Sequence, residues 1–101
     1  MVELEFEGVL WRYDGDAPWH FVTVPVDMSD DIGAAAEPRP FGSVPVRARV
    51  GATMWETSLF PDKQSGAYVL PVKRSVREAE SIADGDAVAV ALSPRATGAG
   101  G

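Results

Sequence analysis

Apolar and polar residues alternate one for one in short runs along most of this chain, and turn-forming residues interrupt them at hairpin spacing. Successive side chains on a strand point to opposite faces, so runs of this kind predict sheet rather than helix. Leu4 and Phe6 alternate with Glu3, Glu5 and Glu7. Beyond Gly8 the large residues change parity to Val9, Trp11 and Tyr13, which predicts a bulge at Gly8 that re-aims the later side chains. Residues 19–26 predict the return strand, apolar on both faces and therefore central and covered twice. Val44, Val46, Ala48 and Val50 alternate with Pro45, Arg47 and Arg49, a strand with a basic outer face whose proline favours an early or edge position. Thr53, Trp55, Thr57 and Leu59 put a further strand in phase over residues 53–60.

The most sharply punctuated stretch is 66–92, read as strand, short helix, Asp84-Gly85-Asp86 turn and strand. Tyr68, Leu70 and Val72 share one strand face, as do Val88, Val90 and Leu92. Ser75 and Glu78 stand at capping-box spacing, which predicts a helix capped by Ser75. A second short helix, capped by Ser29 and running through Asp30, Asp31 and Ile32 to Ala36, is predicted before Pro38 and Pro40. Residues 27–42 otherwise break the period and read as a lid or mobile excursion. Six short strands must close or stack to hide their edges, so the expected fold is mainly β: a small closed or partly open six-stranded barrel with two short helices.

One domain over residues 1–94 is expected, with 95–101 a disordered Gly/Ala tail that has nothing to bury. The absence of cysteine rules out disulfides, thiol catalysis and thiolate metal sites, so packing alone must hold the fold. No run reaches the length of a membrane-spanning helix, and the glutamate-rich start lacks the basic region of a signal peptide. The expectation is a cytoplasmic protein. A net charge of -6 weighs against a bulk electrostatic grip on nucleic acid. The charge is uneven: residues 1–50 carry nine acids and four bases (-5), residues 51–101 six acids and five bases (-1). Any basic face must be local, and the second half is the better place to seek it.

Catalytic patterns are missing. His20 is the only histidine, set in an apolar strand with no orienting group visible in sequence, and it reads as a half-buried strand residue. Asp27, Ser29 and Asp31 open a calcium-loop spacing, but Ile32 and Pro38 fall where that loop needs Gly and Glu. No metal ligand set and no cofactor is expected. Two basic groupings remain: Arg47 and Arg49 on one strand face, and Lys73, Arg74 and Arg77 where the later helix begins, with dipole and free amides also favouring an anion there. A solvated helix edge paired with Glu78 and Glu80 is the plainer account of the second group. Of the three tryptophans, Trp55 is the one assigned to a ligand site beside these bases, although tryptophans are more often core.

Five blocks, F-E-G-V-L-W-R, W-H-F-V-T-V-P, G-S-V-P-V-R-A-R-V, G-A-Y-V-L-P-V-K-R-S-V-R and G-D-A-V-A-V-A-L, follow one another between residues 4 and 92. In that order they resemble a bacterial domain-of-unknown-function family of small β-barrels, found alone or fused to an OmpD-associated bacteriocin-protection domain. The resemblance implies a barrel and no established activity. Within residues 66–92, Leu70-Pro71, Arg77 and Gly85-Asp86 resemble the half-barrel of AbrB and MazE-type swapped-hairpin factors, which are DNA-binding dimers. Three readings follow. The first is a non-enzymatic module binding a small anionic ligand or a protein partner through Lys73, Arg74, Arg77, Arg47, Arg49 and Trp55. The second is a swapped-hairpin DNA-binding dimer, and the last an enzyme using His20. The oligomeric state is not encoded in any motif.

Overall fold

A computed structural model of the chain describes residues 3–15, 19–36 and 39–94. The tail expected at 95–101 lies outside the described residues. The elements in chain order are β1 (Leu4–Tyr13), β2 (Trp19–Thr23), α1 (Val26–Ala35), β3 (Val44–Val50), β4 (Thr53–Asp62), β5 (Ala67–Pro71), α2 (Arg74–Glu80) and β6 (Ala87–Pro94). The strands form a closed antiparallel barrel in the order β1-β2-β5-β4-β3-β6, β6 returning to β1. Closure gives every strand a partner on both sides for at least part of its length, the requirement that the short strands impose.

Two connections are longer than hairpins, and both cross a mouth of the barrel. β2 and β3 lie three places apart in the ring, and so do β5 and β6. Each chain segment must therefore pass over an end. α1 covers one end and sends Ile32 into the core; α2 covers the other and sends in Val76, each 1% exposed. Between them the inward positions are filled by aliphatic side chains, Leu10, Leu59, Leu70 and Leu92 among them. The first part of the segment expected to be a lid or excursion, residues 27–35, is thus an end plug.

The parity change after Gly8 does not occur. β1 pairs without interruption from Leu4 opposite Leu92 to Val9 opposite Ala87, then passes to β2 with Leu10 opposite Val22. Leu4, Phe6, Gly8 and Leu10 all face inward, and Val9, Trp11 and Tyr13 stay outside. Gly8 marks the point where β1 changes partner: a Cβ there would stand 2.7 Å from Val22 Cγ1, so the glycine serves the close approach of β2 and not a bulge. The outer face of β2 is correspondingly uncovered, with Trp19 exposed, and the twice-covered strand is corrected to one with a single buried face. Pro45 needs no sheet edge, because β6 pairs only from Val46 onward and Pro45 faces β4 alone.

Neither expected helix cap forms. α1 begins at Val26 after Pro25, three residues before Ser29, with no side-chain cap. Buried Ser29 instead donates to Val24 O (3.3 Å) and accepts from Tyr68 N–H (3.0 Å), tying helix, β2 exit and β5 together. α2 begins at Arg74 after Lys73, so Ser75 is already helical. α2 ends on Ser81 in the left-handed region (φ 53), with Ile82 N donating to Arg77 O and Ser81 N to Glu78 O, the paired bonds of a Schellman turn.

Candidate functional site

The barrel wall is incomplete on one side. β4 and β5 pair only from Phe60 opposite Val69 to Asp62 opposite Ala67. Toward the α2 mouth β5 turns away into the helix, while β4 runs on from residue 59 back to Thr53 held by β3. A cleft of about 670 Å³ fills the gap, bounded by Trp55, Glu56 and Thr57 on β4 and by the 71–77 junction opposite. Trp55 and His20, inward-facing residues close to this mouth, form its inner wall.

The expected cluster at Lys73, Arg74 and Arg77 converges here, together with Trp55. α2 has only seven residues, so the attraction for an anion rests on these side chains. Arg77 Nε donates to Val72 O at 3.2 Å, which folds the guanidinium back, and its terminal N–H groups have no partner among the described residues. Arg74 pairs with Glu78 at 3.0 Å, a solvated pair one helical turn apart whose contribution is a few tenths of a kcal/mol, about 0.3–0.5. Lys73 has no ion pair among the described residues. Trp55, at 8% exposure, is chiefly a core side chain with one edge in the cleft.

Arg47 and Arg49 do not join them. Arg47 pairs with Glu56 at 3.2 Å on the outer face, which neutralises the one acid of the cleft wall. Arg49 sits away from the cleft, in a shallow depression with Glu5, Glu7 and Gly51. The strand pattern puts both arginines on the outer face as expected. Whether that face reaches the cleft depends on ring order, which the alternation cannot encode.

His20 is a part-buried residue of β2 as expected, but it has an orienting group that the sequence does not show. Its Nε2 meets Asp84 Oδ1 at 2.6 Å, and the imidazole is 12% exposed. An ionised carboxylate only accepts, so Nε2 carries the proton and donates. Nδ1 is buried and has no partner among the described residues. Asp84 lies 64 residues from His20 in a turn held to β1 by Gly85 N donating to Leu10 O and Leu10 N to Asp86 O. That orienting group was hidden because only barrel closure brings the turn to β2. Among the described residues, no group of three His, Cys, Asp or Glu is placed to hold a metal ion.

A second surface was missed altogether. Trp11, Tyr13, Trp19 and Phe21 lie on the outer faces of β1 and β2, with Trp11 opposite Phe21 and Tyr13 opposite Trp19. Trp19 and Phe21 stack with centroids 6.1 Å apart and planes 8° from parallel, and Trp11 lies 5.2 Å from Phe21. Unbroken even parity inside β1 is the signal that would have exposed this face.

A closed six-stranded antiparallel barrel, plugged by a helix at each end and split beside one of them, is the class of protein these features define. Residues 6–92 match the family described as Domain of unknown function (DUF1905), and the chain belongs to it. No curated protein matches the chain. No helix among the described residues is long and apolar enough to cross a membrane.

Proposed function

We propose that this protein is a non-enzymatic binding module of the cytoplasm that takes a small anionic ligand in the cleft between β4 and α2. The observation that carries the reading is the convergence of Lys73, Arg74 and Arg77 on an opening whose inner wall is Trp55 and His20. The one acid in the wall, Glu56, is already paired with Arg47, so the lining has a positive balance. Arg77 and Lys73 supply the free donors and Trp55 an apolar wall against which a flat organic anion can rest.

The other two readings draw less support. All six strands come from one chain, and β5 and β6 stand on opposite sides of the ring, whereas a swapped-hairpin barrel needs strands from two chains. The His20–Asp84 pair has the look of an oriented base, but the nitrogen left free is buried, and a general base must come within hydrogen-bond reach of its substrate.

Thermal unfolding with a panel of nucleotides, sugar phosphates and organic acids tests the proposal. A ligand at a hundred times its dissociation constant stabilises by about 2.7 kcal/mol. The stabilisation should vanish in Arg77→Ala and Lys73→Ala and persist in Arg49→Ala. A panel without any stabilising compound, or a shift indifferent to Arg77, would overturn it.

A further inference from the structure

The aromatic face continues into a trough along β5. Its floor is Val69 and Pro71, outward-facing on β5. One wall is Trp19 and Phe21 on β2; the other is Phe60, opposite Val69 on β4. The walls stand on strands two places apart in the ring, a separation of roughly 9.5 Å at ordinary strand spacing. The enclosed volume is about 410 Å³, and the trough ends at Asp62. That width holds one extended chain with its side chains.

The hydrogen-bonding inventory selects the chain's chemistry. The trough presents donors: the Trp19 indole N–H and the Tyr13 hydroxyl have no partner among the described residues, and the two rings are 53% and 50% exposed. It presents few acceptors, because floor and walls are hydrocarbon; what remains is the Tyr13 hydroxyl and, at one end, the lone pairs the Asp62 carboxylate keeps beside its bonds from Gln64 N and Ser65 Oγ. An ordinary extended peptide laid here would bury backbone N–H groups with few acceptors to receive them, and each one left unpaired costs about 1–3 kcal/mol. A proline-rich segment has carbonyls to accept from indole and phenol and few N–H groups to lose. It is also extended before binding, so little ordering entropy opposes docking. The negative charge at the Asp62 end matches a basic residue beside the prolines.

We infer that the trough between Trp19, Phe21 and Phe60 is a docking site for a proline-rich, polyproline II segment of a partner protein that carries a basic residue at the end lying against Asp62. Recognition of this kind uses aromatic ridges with indole and phenol donors, the chemistry present here. The site uses different charges from the anion cleft, although Trp19, Phe60 and Pro71 border both.

Titration of the full chain by tryptophan fluorescence tests the inference. The probes are a synthetic peptide of about ten residues rich in proline and ending in lysine, its copy with alanine for proline, and its copy with glutamate for lysine. The proline peptide should bind and quench. The alanine copy should bind at least about tenfold more weakly, and the glutamate copy a few-fold more weakly. Trp19→Ala should lose about tenfold and Tyr13→Phe a few-fold, with melting temperatures close to the parent because both rings are half in solvent. Arg77→Ala should leave peptide binding unchanged, which separates this site from the anion cleft. Equal binding of the alanine copy, or no binding of any peptide at millimolar concentration, would overturn the inference. So would self-association abolished by Trp19→Ala, since a second copy would then be the occupant.

Discussion

Gly8 shows how one missing side chain lets two strands cross. β1 leaves β6 for β2 next to it, and buried Val22 fills the position its Cβ would take. Gly8→Ala is expected to lower stability by about 1–3 kcal/mol through overpacking. Most of that loss should disappear when the alanine is placed in a Val22→Ala background, where the clash is absent; urea unfolding of the four proteins of the cycle measures the coupling. His20 is the second informative position. Its Nδ1 is already unpartnered and Nε2 depends on Asp84, itself half exposed. Asp84→Ala leaves a nearly buried imidazole with no partner and should cost about 1–2 kcal/mol, read from the same denaturation curves. A neutral result would mean that water replaces the carboxylate.

Helix starts divide into apparent and real anchors. Ser75 sits at capping-box spacing from Glu78, yet α2 begins one residue earlier without a side-chain cap, and Glu78 pairs with Arg74. Ser75→Ala should therefore change stability by less than about 0.5 kcal/mol, where loss of a true cap costs about 1. Ser29 is the opposite case. Its hydroxyl joins Val24 O to Tyr68 N–H in the interior, so Ser29→Ala strands a carbonyl and an amide together. The expected loss is about 1–3 kcal/mol. Hydrogen exchange at the Tyr68 amide should quicken in the same variant. At the other mouth the Thr53 hydroxyl donates to Glu80 at 2.5 Å, and Gly51, at φ 59, leaves the space that the Glu80 carboxylate fills. Each helix is thus tied to the rim it covers by polar contacts, while Ile32 and Val76 supply the apolar ones.

The ring order β1-β2-β5-β4-β3-β6 closes within one chain, so folding calls for no second copy. Light scattering at micromolar concentration should return the mass of a single chain, 10.8 kDa. A dimer insensitive to Trp19→Ala would revive the swapped-hairpin reading, and one abolished by it would place a second copy on the aromatic trough. Closure also makes the core continuous from Ile32 to Val76. Unfolding followed by fluorescence, which reports chiefly on buried Trp55, and by far-ultraviolet circular dichroism should coincide as one transition.

Alternation located all six strands and the inward faces of β3 and β4, while breaks in it, with cap-like spacings and prolines, located the two helices but not their starts, because each of these is a local signal. The bases at Lys73, Arg74 and Arg77 were legible for the same reason: they are neighbours in sequence. Large apolar residues at Val9, Trp11 and Tyr13 suggest an inward face by size alone, whereas in the barrel they stand on the outer face, and composition does not separate an exposed aromatic face from a core. The split between β4 and β5, the approach of Asp84 to His20, the separation of Arg47 and Arg49 from the other bases, and the trough over β5 all depend on which strands adjoin in the ring. Ring order follows from how two crossing connections and two end plugs pack around one core, a balance of long-range contacts that no local pattern in the chain records.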